Sequence, residues 1–124
     1  MKRKKPSPRQ KLQKKLDQAW KVAVKERDDY TCQHCGKQGS GSNIHASHVV
    51  PRSAGNRLKW DILNGKALCF HCHMNLWHKD PVRMGEWFRE KFPDRMAYLD
   101  EQRALGHVKY TDADLEDMLK EFED

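Results

Sequence analysis

The sequence predicts an α+β fold, in which a small unit of two strands, a loop and a helix lies between an N-terminal helix and C-terminal helices. Three observations predict it. Apolar residues recur at helical spacing near both ends, a short run with strand character ends at Pro51, and two Cys-x-x-Cys pairs bracket the middle. With 124 residues, of which 37% are hydrophobic, the chain has room for one domain but a thin supply of core residues. A metal or disulfides would therefore stabilise part of it.

The N-terminal region is basic. Residues 1–9 carry two prolines and are predicted to form a flexible arm. A helix is predicted from about Gln10 to Arg27, with an apolar stripe that we expect to pack in the core. This stripe consists of Leu12, Leu16, Trp20, Ala23 and Val24. The lysines around it form either a solvated face or a face that follows a phosphate backbone.

In the central region, segments that carry cysteines and histidines alternate with turns. A Gly- and Ser-rich turn follows the first cysteine pair, and a strand is predicted from Ile44 to Val50. Residues 52–66 read as an irregular basic loop, and a helix is predicted from about His71 to His78. Together with the N-terminal helix, this unit gives a predicted domain over residues 10–80.

Residues 81–124 are predicted to form a helical extension of three short helices. Met84, Trp87, Phe88 and Phe92 mark the first, and Asp94 to about Leu105 forms the second. The third is capped by Thr111 or Asp112 and carries apolar residues at i, i+3, i+4 and i+7. We expect these faces to pack against the central unit or against each other.

Charge is distributed unevenly along the chain. Residues 1–78 contain sixteen Lys and Arg against five Asp and Glu, whereas residues 79–124 contain eight against thirteen. A clustered basic region beside cysteine pairs favours a nucleic-acid partner, because Lys and Arg displace the counterions condensed on phosphates. The acidic segment from Asp112 to Asp124 is either a solvated helix or a docking surface for a protein partner.

The sequence offers no sign of a membrane or secretory segment. No stretch approaches the roughly twenty apolar residues that span a bilayer, and no apolar run follows the charged N-terminus. We therefore expect a cytoplasmic protein with reduced cysteines and no membrane partner.

The cysteines form two chelating pairs. Cys32 and Cys35 are separated by 33 residues from Cys69 and Cys72, and Gly36 after the first pair suits a tight turn. Two such pairs complete a tetrahedral thiolate shell, which favours a structural Zn²⁺ ion. Two disulfides or a redox pair are the alternatives, and both fit a basic, reduced chain poorly. With all four positions taken by cysteine, this ion would have no open site for catalysis.

Histidines are dense in the same region, since six of the seven lie between positions 34 and 78. Their pattern resembles the HNH endonucleases, in the zinc-knuckle variety common in phages. The resemblance covers roughly residues 30–80. The residues that carry it are His45-Ala46-Ser47-His48-Val49-Val50-Pro51, then Asn64, then Leu68-Cys69-x-x-Cys72-His73.

The resemblance implies a ββα-metal (His-Me finger) core and phosphodiester cleavage that depends on a divalent cation. His48, Asn64 and His73 stand at the three positions that name the family. The residue chemistry agrees, because a neutral histidine can take a proton from water and a bound cation can stabilise the leaving oxygen. By resemblance, His48 is the general base, Asn64 holds the loop and His73 is a ligand of the catalytic ion.

One position departs from the family pattern. Ser47 stands where the family usually places an Asp or His ligand directly before the base. In a strand, residues 45 and 47 lie on the same face, so His45 is predicted to replace the missing ligand. Alternatively, water or Ser47 completes the site, or the nuclease has decayed. His78 is a further candidate, although an ideal helix places it about 140° from His73.

The predicted function is a metal-dependent DNA endonuclease with low sequence specificity. Arg52, Arg57 and Lys59 lie in the loop beside the site and are candidate phosphate contacts. The catalytic ion is left open between Mg²⁺, Mn²⁺, Ni²⁺ and Zn²⁺. The alternative function is a zinc-stapled DNA-binding module whose catalytic centre is inactive.

Overall fold

A two-stranded antiparallel sheet lies at the centre of the chain, in a computed structural model that describes residues 4–123. Strand β1 runs over Ile44–His48 and strand β2 over Gly65–Cys69. The register places His48 opposite Gly65 and Ser47 opposite Lys66. Every residue of β2 is buried, because helices or loops cover both of its faces. The α+β class predicted from the sequence is confirmed.

Helix α1, Pro8–Arg27, begins two residues before the predicted start. A capping box sets this boundary: the Ser7 hydroxyl accepts the Gln10 backbone N–H at 3.1 Å, and the Gln10 side chain accepts the Ser7 N–H at 2.8 Å. Pro8 at the first helical position adds to the signal. Residues 8 and 9, which the sequence assigned to the flexible arm, are therefore helical, and residues 1–3 of that arm lie outside the described part of the chain.

The segment after β2 is a π-helix, His71–Trp77, where the sequence predicted an ordinary helix. Its wider turn is visible where the backbone N–H of His78 donates to the carbonyl of His73, five residues earlier, at 3.1 Å. Such turns are rare and occur often at functional sites. Here the wider turn changes which side chains of this helix lie near each other.

Three helices complete the chain: α2 (Pro81–Lys91), α3 (Pro93–Ala104) and α4 (Asp112–Glu123). Helices α2 and α3 pack on the loop between the strands, through a cluster of Val50, Leu58, Phe88, Met96 and Leu99. Helix α4 returns to α1 and buries Leu115 against its apolar stripe. No helix within residues 4–123 is long and apolar enough to cross a membrane. The predicted boundary between residues 80 and 81 stays a prediction.

Candidate active site

The four cysteines converge at one end of the sheet. Their Sγ atoms all lie within 4.8 Å of one another, and none forms a disulfide. Cys35 and Cys69 place their sulfurs 3.7 Å apart. A tetrahedral ion with Zn–S bonds of about 2.3 Å needs neighbouring sulfurs about 3.8 Å apart. The cluster therefore fits one metal ion, and its all-thiolate donor set suits zinc.

Backbone N–H groups point at the sulfurs of this cluster. The N–H of Cys35 lies 3.5 Å from the sulfur of Cys32, and the N–H of Cys72 lies 3.4 Å from that of Cys69. Burial raises the pKa of the Cys32 thiol, but hydrogen bonds from Cys35, Cys69 and His34 outweigh it and lower the pKa to about 7. At Cys32 the turn thus favours the thiolate form that a metal requires. Gly36, at φ +79°, lets the chain leave the first turn.

His48 ends strand β1 and is held on two sides. Its ring stacks on Trp20 of α1, with centroids 4.0 Å apart and planes 11° apart. Its Nε2 lies 3.1 Å from the carbonyl oxygen of Lys59. Because a carbonyl only accepts, Nε2 carries the proton and Nδ1 keeps a free lone pair. Burial lowers the pKa of His48 to about 4, which keeps the ring neutral at physiological pH.

His73 lies between two other histidines. Its Nδ1 is 2.8 Å from Nδ1 of His45, and its Nε2 is 3.0 Å from Nε2 of His78. The π-turn produces the second contact, because its wider spacing brings residue i+5 close to residue i. The 140° separation expected for an ideal helix is therefore wrong here. Burial, and then the neighbouring His78 and His45, lower the pKa of His73 to about 4.

A backbone carbonyl fixes the protons along this chain of rings. Nε2 of His45 lies 3.1 Å from the Ser42 carbonyl oxygen, so Nε2 carries the proton and Nδ1 of His45 accepts. Nδ1 of His73 then donates to it, and Nε2 of His73 keeps its lone pair toward His78. Nitrogens 3.0 Å apart have the spacing of ligands about 90° apart on an ion with bonds of about 2.1 Å, as in octahedral coordination. His73 and His78 could therefore share one cation.

Asn64 is fully buried and ties both parts of the loop to the end of β1. Its Oδ1 accepts the Val50 N–H at 2.7 Å, and its Nδ2 donates to the carbonyls of Val50 and Leu58, each at 3.0 Å. These three bonds hold the backbone of Val50 close to the backbone of Leu58. Val50 is two residues after His48, and Leu58 directly precedes Lys59. They fix the two backbone segments that position the His48 ring.

The comparison with known families falls on the segment that carries these groups. Residues 32–88 match the family model described as HNH endonuclease. The match confirms the resemblance to the HNH endonucleases within residues 32–88, here called the HNH segment. No curated protein and no solved structure matched the chain. The HNH segment contains the four cysteines, both strands, the π-helix and all the site residues predicted from the sequence, whereas α1, α3 and α4 lie outside it.

A buried lysine, which no sequence pattern indicated, lies behind the histidine site. Lys66 is 0% exposed, and its ammonium donates to the Ser47 hydroxyl and to the His48 carbonyl, both at 3.1 Å. It also lies 3.2 Å from the centre of the Trp77 ring. Burial lowers the pKa of Lys66 well below its usual value. Ser47, which stands where the family usually places a metal ligand, thus accepts a hydrogen bond from Lys66.

An open cleft of about 720 Å³ runs past His48, His73 and His78. Cations from four parts of the chain line it: Lys21 of α1, Arg52 of the loop, Arg89 of α2 and Arg103 of α3. Of the three phosphate contacts predicted from the sequence, Arg52 borders this cleft. Arg57 instead donates to the Gly106 carbonyl at 3.0 Å, and Lys59 lies over the Trp60 ring. Lys21 and Arg89 were not predicted as site residues from the sequence, because only the fold brings them to the cleft.

Proposed function

We propose that the chain is a metal-dependent DNA endonuclease that hydrolyses phosphodiester bonds at this cleft, with the two strands and the π-helix as a ββα-metal core. The observation that carries the proposal is that His48 places its Nε2 3.1 Å from the Lys59 carbonyl oxygen. Its Nε2 proton is committed to the Lys59 carbonyl, so Nδ1 is left as a proton acceptor in a residue that lines the cleft.

His48 is the general base of this proposal. As a water oxygen attacks the phosphorus, Nδ1 takes one proton of that water and the ring becomes an imidazolium. A histidine whose pKa is lowered to about 4 by burial is neutral and ready to accept. The negative charge of a bound phosphate raises that pKa, which strengthens the base when the substrate is in place.

His73 and His78 are the proposed ligands of the catalytic ion through their Nε2 atoms. When bound, this ion supplies positive charge to the scissile phosphate and to the departing oxygen. We assign His45 to orienting His73 through Nδ1, in place of the ligand role that the sequence favoured. Imidazole donors suit Zn²⁺ and Ni²⁺, whereas Mg²⁺ and Mn²⁺ lean towards oxygen ligands.

Asn64 and the four cysteines act on the site through the backbone. Asn64 holds the loop whose Lys59 carbonyl orients His48. The cysteines hold one structural Zn²⁺, which joins the turn after Cys32 to the start of the π-helix that carries His73. Both roles keep the base and the proposed ligands at a fixed separation.

DNA is the proposed substrate, held mainly through its phosphates. Of the cations that border the cleft, Lys21, Arg52 and Arg89 are the proposed contacts, whereas Arg57 and Lys59 lie outside its lining. Phosphate contacts position a strand without reading its sequence, which supports low sequence specificity. The acidic α4 remains a candidate surface for a protein partner.

The second candidate is a zinc-stapled DNA-binding module with an inactive centre. The observation that favours it is at Ser47, which is 2% exposed and bonded to the Lys66 ammonium, where the family usually supplies a ligand. The Lys66 amine behind the site also opposes cation binding whenever it is protonated. Both candidates bind DNA, so cleavage must separate them.

The test is cleavage of supercoiled plasmid by zinc-retaining protein from which loosely held ions have been removed. Mg²⁺, Mn²⁺, Ni²⁺ or Zn²⁺ is added back to the wild type, to His48→Ala and to the control His107→Ala, which removes an exposed histidine away from the cleft. We expect ion-dependent nicking that falls about 10²–10⁴-fold in His48→Ala and persists in the control. Plasmid binding without nicking under any ion would instead support the inactive module.

A further inference from the structure

Trp20 lies flat against His48 although it belongs to α1, outside the HNH segment. The two ring centroids are 4.0 Å apart and the planes differ by 11°. The sequence placed Trp20 in a core stripe, and it is indeed 1% exposed. A core role alone, however, does not require a parallel stack on one particular polar ring.

The indole is fixed in its own plane by a hydrogen bond. Its Nε1 donates to the carbonyl oxygen of Asp61 at 2.8 Å. Asp61 caps the short turn Ile62–Asn64, where its side chain accepts the Leu63 N–H. Trp20 is therefore attached to the same loop end that Asn64 joins to β1.

Gly65 makes room for this arrangement. It pairs with His48 across the sheet, and a Cβ at position 65 would lie 2.6 Å from Cζ2 of Trp20 and 2.5 Å from Cγ2 of Val24. Any side chain there would push the indole away from the strand. The absence of a side chain at one buried strand position thus permits the contact between Trp20 and His48.

The stack limits how the His48 ring can move. One hydrogen bond, from Nε2 to the Lys59 carbonyl, leaves the ring free to tilt about that bond. A flat indole face against one side removes the tilt and keeps Nδ1 in one direction. When Nδ1 takes up a proton, the ring becomes a cation, and the indole face attracts a cation more strongly than a neutral ring.

We propose that Trp20 is the positioning residue of the general base: it fixes the ring plane of His48 and stabilises the imidazolium formed when His48 accepts the proton of water. This inference rests on the proposed nuclease function for its catalytic consequence. The ring orientation itself does not depend on that function. The N-terminal helix is then part of the active site rather than a support for it.

The test compares two replacements of Trp20 with a core control. Trp20→Leu keeps an apolar side chain without a flat face, and Trp20→Phe restores a flat face. Leu16→Ala weakens the same helix in the same core cluster without touching His48. Trp20→Met takes the place of Trp20→Leu if the latter does not fold. The charged groups near His48 are Arg52, Lys66 and Asp17, and no variant changes them.

Two measurements are made on the zinc-retaining protein. The first is ¹⁵N NMR of the His48 ring, without added catalytic ion, which reports the tautomer. The second is the rate of plasmid nicking at saturating ion, measured over a range of plasmid concentrations so that kcat and KM are obtained separately. We expect one Nε2–H tautomer in the wild type and a mixture in Trp20→Leu, together with a kcat lower by about tenfold or more at unchanged KM. Trp20→Phe should recover most of both, and Leu16→Ala should keep both.

A folded Trp20→Leu protein with the wild-type tautomer and kcat would overturn the proposal. So would an equal loss of kcat in Trp20→Leu and Leu16→Ala, since that pattern indicates general core damage. Failure of the nuclease proposal looks different: the wild type then cleaves no better than His48→Ala. In that case an unchanged tautomer in Trp20→Leu still overturns the ring-positioning role, and a mixed tautomer still supports it.

Discussion

The cysteine cluster and the histidine cluster meet at two adjacent residues of the π-helix, Cys72 and His73, yet they are built in opposite ways. The four sulfurs converge on a single point. The histidines instead form a line, in which His73 uses one nitrogen toward His45 and the other toward His78. Among residues 4–123, the cysteines are the one group of His, Cys, Asp and Glu side chains close enough together to share an ion through three or more donors.

The difference corresponds to two kinds of metal chemistry. A closed shell of four thiolates leaves no position for water or substrate and contributes to folding. A pair of imidazoles beside an open cleft leaves most coordination positions free, and the neighbouring His48 is neutral and oriented. Stability should therefore depend mainly on the first cluster, and the proposed catalysis on the second.

The largest expected effect is the loss of a thiolate. Cys69→Ser should abolish tight zinc binding and unfold much of the chain, because structural zinc sites supply about 10–16 kcal/mol of apparent binding free energy. Circular dichroism and zinc content check this. His78→Ala is the matched change in the other cluster and should leave both unchanged. A Cys69→Ser protein that still folds and unfolds cooperatively would contradict the conclusion that stability depends mainly on the cysteine cluster.

Asn64→Ala should give the next largest loss of stability. It removes three buried hydrogen bonds and leaves the Val50 N–H and the Val50 carbonyl unpaired, whereas the Leu58 carbonyl keeps the Asp61 N–H at 3.3 Å. At about 1–3 kcal/mol for each buried unpaired group, we expect unfolding to become easier by about 3–5 kcal/mol in urea. Asn75→Ala, at an exposed position of the π-helix, should stay within about 0.5 kcal/mol of the wild type.

Gly65→Ala should cost about 1–3 kcal/mol, because the new Cβ overlaps Trp20 and Val24. Urea denaturation measures the loss. Gly85→Ala is the control: a Cβ there meets nothing within 4 Å, and alanine favours the helix α2 by up to about 1 kcal/mol. Equal stabilities for the two variants would contradict the close approach of Trp20 to the strand.

The smallest expected effect is in the pH dependence. With the pKa of His48 lowered to about 4 in the free protein, kcat/KM for nicking at pH 5.5 and saturating ion should stay within about 10% of its plateau, whereas a pKa of 6.5 predicts a fall of about tenfold. The same shift makes the unfolded chain bind protons more readily, so stability is lost as the pH falls from about 6.5 to about 4. Rate profiles and urea titrations across this range check both statements.

Sequence and structure agree best where the signal is local. The spacing of the cysteines, the start of β1 at Ile44 and the apolar stripe of α1 each depend on neighbouring residues, and each is predictable. The end of β1 was predicted at Val50, two residues beyond its observed end at His48. The start of α1 was also encoded locally, in Ser7 and Gln10, although the prediction placed it two residues late.

The rest depends on contacts between distant segments or on unusual backbone. The π-turn that brings His78 to His73 has no simple hydrophobic period by which a sequence could reveal it. The sequence therefore predicts an ordinary α-helix in its place. The burial of Lys66 follows from its pairing with Ser47 and from Trp77 above it, which only the register reveals. The stack of Trp20 on His48 joins residues 28 positions apart in the sequence.

The most direct test of the two-site account is a titration of Ni²⁺ into protein that retains one zinc ion. Bound nickel and plasmid nicking are measured in the same samples, for the wild type and for His73→Ala. We expect nicking to rise with occupancy of a second, weaker site, and both to disappear in His73→Ala while the zinc remains. Nicking that survives His73→Ala, or a filled second site with no nicking, would contradict it.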